Sequence, residues 1–137
     1  MTETTDLPPH RDPRVIEAST TALTTLRELC PSLSVAVLLT DDGFEIARIP
    51  ANGAGDQRLS SMASSLQALS EAVARELSLG PAQYALIEAT VGRVLLRRIA
   101  GAPIVIAAVF DDDETVGRAI SVSRRVGDDL AERLTAH

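Results

Sequence analysis

The sequence predicts an α/β domain on a five-stranded, mostly antiparallel sheet in the order 2-1-5-4-3, with one long helix on one face and two on the other. Three observations carry this expectation. Two apolar runs, Val35-Ala36-Val37-Leu38-Leu39 and Ile104-Val105-Ile106-Ala107-Ala108-Val109-Phe110, have the composition of strands covered on both faces. Glycine and proline divide the other extended segments into a hairpin and a meander. Three further segments repeat apolar residues at helical spacing.

Taken in order, residues 1–12 contain Pro8, Pro9 and an acidic start with no apolar periodicity, and read as a disordered tail ahead of a domain spanning 13–135. Asp12 is a candidate cap and Pro13 suits a first helical position. Val15, Ile16, Leu23, Leu26 and Cys30 then mark a helix that Pro31 ends. Strand one is the Val35–Leu39 run, and Asp42-Gly43 turns it tightly into strand two, Phe44 to Ile49. After the loop Pro50 to Gly55, Asp56 is a candidate cap for a long second helix, which Gly80-Pro81 stops. Strands three to five follow over 83–91, 93–100 and 104–110, and the acidic run Asp111 to Glu114 opens a third helix carrying Ala119, Ile120, Val126, Leu130 and Leu134. A hairpin joining one to two and a meander joining three to five give the order 2-1-5-4-3 when strands one and five are neighbours.

Composition narrows function. A chain of 137 residues buries about 68% of the surface its unfolded form exposes, enough for one core. Its net charge of -6 opposes nucleic acid and anionic membranes. One cysteine, Cys30, excludes an internal disulfide and a multi-cysteine metal site and fits the cytoplasm. No apolar run approaches the ~18 residues of a membrane span. His10 and His137 fall in the tail and at the last residue, so neither is placed as a general base, and no Ser-His-Asp arrangement is expected. No catalytic residue, cofactor or metal is expected. Asp111 to Glu114 is read as helix-capping rather than cation-binding, since calcium-loop spacing is absent. Asn52-Gly53-Ala54-Gly55 lacks the lysine of a nucleotide loop and is read as a turn. Arg97-Arg98 beside Arg93 is either a docking patch or a partner for Glu88 across the strands.

Two features point to self-association. Strand three has no proline, no lysine and a single charge to discourage edge pairing. On a helical wheel, Leu59, Met62, Leu66, Leu69, Val73 and Leu77 of the second helix form a stripe expected to cover the sheet, while Ser61, Ser65, Ala68 and Ala72 form a small-residue stripe about 110° away. The small stripe is either a solvated face or a close helix contact. Two copies joined strand three to strand three satisfy both features, with Ser61, Ser65, Ala68, Ala72, Tyr84, Leu86 and Glu88 at the interface.

The chain resembles the Roadblock family, which includes dynein light chains and bacterial Mgl-type regulators of small Ras-like GTPases. The resemblance covers residues 13–135. It rests on Val37-Leu38-Leu39-Thr40-Asp41-Asp42-Gly43-Phe44, the Asp56-Gln57-Arg58-Leu59 opening of the second helix, the glycine-punctuated last strands and the final amphipathic helix. It implies a non-catalytic homodimer, dimerised through strand three and the second helix, that docks onto or regulates such a GTPase. On that footing Arg58, Gln67, Glu71 and Arg75, polar positions outside the apolar stripe, are the expected docking surface. The acidic tail and Arg97-Arg98 depart from the pattern. The competing function is a small-molecule sensor of the same architecture, for which Phe44, Tyr84 and Phe110 are the only aromatic residues to line a pocket.

Overall fold

The computed structural model describes residues 7–51 and 57–136. A 3-10 turn, Pro9–Arg11, precedes α1 (Pro13–Leu29), β1 (Leu33–Thr40), β2 (Glu45–Ile49), α2 (Gln57–Glu76), β3 (Tyr84–Ala89), β4 (Gly92–Arg98), β5 (Ile104–Asp111) and α3 (Val116–Thr135). The sheet runs β2-β1-β5-β4-β3, with every neighbouring pair antiparallel. The expected order is therefore the observed one. The Asn52–Gly55 turn and the Asp56 cap lie outside the described residues.

β1 and β5 are central because both their faces are apolar. Ala36 and Leu38, with Ile104, Ile106, Ala108 and Phe110, meet α1 and α3, while Val37, Leu39, Val105 and Ala107 point to α2. The hairpin from β1 to β2 closes as its Asp-Gly step requires. Gly43 sits at φ 92°, in the left-handed region, its N–H donating to the Thr40 carbonyl at 2.9 Å. At the opposite end, a Cβ on Gly92 would lie 2.7 Å from the Phe110 carbonyl oxygen, so the start of β4 approaches β5 at a distance only glycine allows. On the edge strand β2, Glu45 and Arg48 form an ion pair at 2.8 Å, and the 3-10 turn packs beside the strand.

Asp12 caps α1, its Oδ1 accepting from the Arg14 N–H at 3.0 Å, with Pro13 next. Two expectations change. The stretch 1–12 is ordered in its last part: Pro9–Arg11 forms the 3-10 turn, and the His10 ring stacks on Phe44 with centroids 4.5 Å apart. Pro8 and Pro9 pre-set φ there, and the hairpin offers an aromatic face on which to dock. Residues 1–6 lie outside the described set. Secondly, the acidic run does not open α3. Thr115 is the cap, its hydroxyl accepting from the Arg118 N–H, because β5 continues to Asp111 in register with Gly92 and the next residues make the turn. Asp111 accepts from the Asp113 N–H at 2.9 Å. Glu114 turns inward, where it accepts from the Ser32 hydroxyl and pairs with Arg118 at 3.4 Å.

Cys30 terminates α1 and is fully buried. Burial first, and then the neighbouring Glu114 carboxylate, push its thiol up to about 11. A thiol held protonated by the fold contributes stability below its unfolded pKa of about 8.5 and loses that contribution as pH rises through about 11. Denaturant midpoints are therefore expected to fall more steeply for the parent protein than for Cys30→Ala across that window. Parallel curves would show that Cys30 does not titrate with folding.

A candidate association surface on α2 and β3

The face of α2 that covers the sheet is not the expected one. Leu59, Ser60, Ala63, Gln67 and Ala74 are buried, whereas Met62 and Leu69 are 60% and 61% exposed and Val73 and Leu77 are also exposed. Only Leu59 of the apolar stripe is buried, and Leu66 packs partly against the α2-side core. The sheet already supplies bulk on this side through Val37, Leu39, Leu96 and Val105, so small residues of α2 give the closer fit. The large apolar residues are left on a flank turned roughly 90° from the sheet. The small stripe lies beyond that flank, with Ser61, Ser65 and Ala68 exposed and Ala72 half-buried.

β3 also exposes apolar side chains. Its burial falls from half-buried Ala85 and Leu86 to exposed Ile87, Glu88 and Ala89. Ala85 leans on the α2-side core and Leu86 on the α1/α3 core, so strand alternation places Ala85, Ile87 and Ala89 on one face and Tyr84, Leu86 and Glu88 on the other. β3 pairs with β4 on one side, and its other side is a sheet edge. Exposed Ile87 and Val91 on the strand and its following turn, with Met62, Leu69, Val73, Leu77 and Leu79 on and after α2, make a large apolar area for one small chain. Of these, Met62, Leu69, Val73 and Leu77 belong to the helical stripe expected to cover the sheet, and they do not cover it. The signal that corrects that expectation is the bulk of the central strands, which leaves no room for a second bulky layer.

Polar groups behind this surface are largely engaged. Gln67 is 5% exposed and donates from Nε2 to Glu71 Oε2 at 2.8 Å, so it faces inward rather than toward a partner. Glu71 also accepts from Arg98 Nη1 at 2.9 Å, and Arg98 Nη2 reaches Asp41 at 2.9 Å. This clamp ties α2, the end of β4 and the β1–β2 hairpin together. Of the expected docking residues, Arg58 and Arg75 are exposed, Glu71 is half-buried in the clamp, and Gln67 is removed by its burial. Glu88 pairs with Arg93 at 3.2 Å. Arg97 is 6% exposed, its guanidinium 5.0 Å from the Tyr84 ring centroid and donating to the Ser123 hydroxyl and the Ile120 carbonyl. Burial, and next the like charge of Arg124, push its pKa down from the ordinary arginine value.

The carboxylates of Asp111, Asp112 and Asp113 come within 4.8 Å of one another, with the second and third exposed. His10 is engaged with Phe44, and His137 lies outside the described residues. Among the described residues no helix is long and apolar enough to cross a membrane.

No protein-family model matches the chain, and no curated protein matches it by sequence. Solved structures do. The fold is that of Roadblock/LC7 domains: a Roadblock/LC7 domain from Streptomyces avermitilis superposes with a TM-score of 0.76 at 15% identity, covering 85% of this chain and 98% of that one. Within that fold the likeness extends to MglB. Myxococcus xanthus MglB aligns with a TM-score of 0.79 at 13% identity over 98% of this chain and 93% of its own. An MglB in a tetrameric arrangement aligns at 0.70 with 21% identity, over 85% and 89%.

Proposed function

We propose that this protein is a non-catalytic homodimeric interaction domain that docks onto or regulates a small Ras-like GTPase. The observation that carries the reading is the exposed apolar flank of α2 together with the exposed apolar residues of the open edge strand β3. A lone soluble domain rarely exposes such a face. A second copy covers it by joining β3 to β3 and laying one α2 beside the other, with Ser61, Ser65, Ala68 and Ala72 allowing close approach. The tetrameric arrangement of one similar MglB supports self-association of this fold. The GTPase assignment rests on the Roadblock resemblance, and the domain acts by favouring one nucleotide state through differential binding.

The expected result is a dimer by light scattering at about 50 µM, a concentration well above a micromolar dissociation constant. The dimer is expected to be captured by a small Ras-like GTPase of the native host, more strongly in one of the GDP-loaded and GTP-analogue-loaded states. Arg75→Glu is the informative docking variant, because Arg75 is exposed, whereas reversing Glu71 breaks the clamp to Arg98. Negligible and equal capture in both nucleotide states rejects the GTPase role. State-selective capture untouched by Arg75→Glu keeps the role and moves the docking site off this part of α2.

A further inference from the structure

The proposed homodimer leaves the register of its β3 seam open, and the strand itself narrows it. A two-fold axis normal to the sheet keeps each residue on its own face, and directly opposed residues of antiparallel strands share a face. The seam is therefore centred on a residue, never on the gap between two. For the six-residue strand Tyr84–Ala89 the centres that engage most of its length are Leu86 and Ile87. Centring on Ile87 sets the half-buried Leu86 against a carboxylate, that of Glu88. Centring on Leu86 sets Leu86 against its own copy, Ala85 against Ile87, and Tyr84 against Glu88.

The second arrangement completes an unbalanced group. Arg97 lies opposite Tyr84 in the β3–β4 ladder, buried, with its guanidinium over the Tyr84 ring. Its acceptors, the Ser123 hydroxyl and the Ile120 carbonyl, are neutral. From α3, Arg124 repels it and Asp128 attracts it. A buried guanidinium gains most from a carboxylate. Glu88 is on the same face, its side chain more than half exposed, bonded through one oxygen to Arg93 at 3.2 Å. Two strand spacings, about 9.6 Å, separate Arg97 from the residue opposite Tyr84 across the seam, within the combined reach of arginine and glutamate side chains.

We propose, resting on the homodimer reading, that β3 pairs with β3 of the partner in a register centred on Leu86, so that Glu88 of the partner subunit lies across Tyr84 and supplies the carboxylate facing Arg97. The contact occurs twice by symmetry. It gives the seam a charged lock on the α1/α3 side, while the apolar flank of α2 fills the other side.

Cysteine cross-linking of the full chain tests the register. Directly opposed Cβ atoms are about 4.5–5.5 Å apart and diagonal ones about 7–8 Å, and a disulfide needs about 3.5–4.5 Å. Under diamide, Leu86→Cys is expected to give a covalent dimer and Ile87→Cys is not, with native Cys30 buried in both. The double variant Tyr84→Cys/Glu88→Cys should also link, which keeps the test valid if Leu86→Cys folds poorly. Glu88→Arg should weaken dimerisation at least tenfold, and Arg93→Gln, which removes the bonds of Arg93 to Glu88 and to the Glu114 carbonyl within one chain, should leave it within about twofold. Linking by Ile87→Cys and not by Leu86→Cys overturns the register. A dimer in which none of these variants links overturns the β3 seam. An unchanged dissociation constant for Glu88→Arg overturns the carboxylate contact. A parent protein that is monomeric rejects the homodimer reading itself, a result distinct from all of these.

Discussion

Phe110→Ala is expected to cost about 3–5 kcal/mol of unfolding free energy. Phe110 is fully buried at the end of β5, opposite Leu33 on one side and Arg93 on the other, and belongs to the cluster between the sheet and the two helices α1 and α3. Its ring is the largest side chain in that cluster, and β1 and β4 hold the backbone on both sides, so neighbours have little freedom to collapse into the void. For a domain of this length the loss corresponds to a fall of roughly 10–20 °C in Tm. Calorimetry or thermal circular dichroism measures it, and a fall below about 3 °C would show that this end of the core repacks freely.

Leu69→Glu is expected to dissociate the proposed dimer while leaving the fold intact. Leu69 is 61% exposed in the single chain, so a charge there costs the monomer little. In a two-fold seam the change counts twice. Each copy loses about 1.5–3 kcal/mol of apolar burial, and each buries a carboxylate without a partner. The summed loss of at least about 3 kcal/mol weakens association by two orders of magnitude or more. Sedimentation over a concentration series reads the dissociation constant, and far-ultraviolet circular dichroism checks the fold. A Leu69→Glu protein as tightly dimeric as its parent would place the seam away from this flank of α2.

The strand order was legible because it depends on local punctuation. Asp42-Gly43, Gly92 and Gly101-Ala102-Pro103 mark reversals, and the doubly apolar runs of β1 and β5 identify the centre of the sheet. The orientation of α2 was not legible, because a stripe such as Met62-Leu69-Val73 states only that something covers it. Which surface does so depends on how much volume β1 and β5 already fill. Gln67 shows the same limit in reverse: a polar residue was placed outside by type, yet Glu71 satisfies its amide and lets it turn inward. The start of α3 was misplaced because acidic residues suit a helix N-terminus, whereas here the strand continues to Asp111 and Thr115 provides the cap. Arg97 has no sequence signal for burial. Its place is set by the ring of Tyr84 and the hydroxyl of Ser123, contacts between segments far apart in the chain.

The two edges of the sheet, β2 and β3, differ, and in the proposed dimer that difference limits the size of the assembly. Among the described residues no strand pairs with the outer side of β3, whereas β2 carries the Glu45–Arg48 pair and is flanked by the 3-10 turn of residues 9–11. Once β3 is joined to β3, both outward ends of the ten-stranded sheet are copies of the guarded edge β2. Addition of a third chain by strand pairing then has no template. In the proposed dimer the sheet grows once and stops, so the asymmetry of a single chain would work as a counting device, directing association toward a finite particle rather than a fibre.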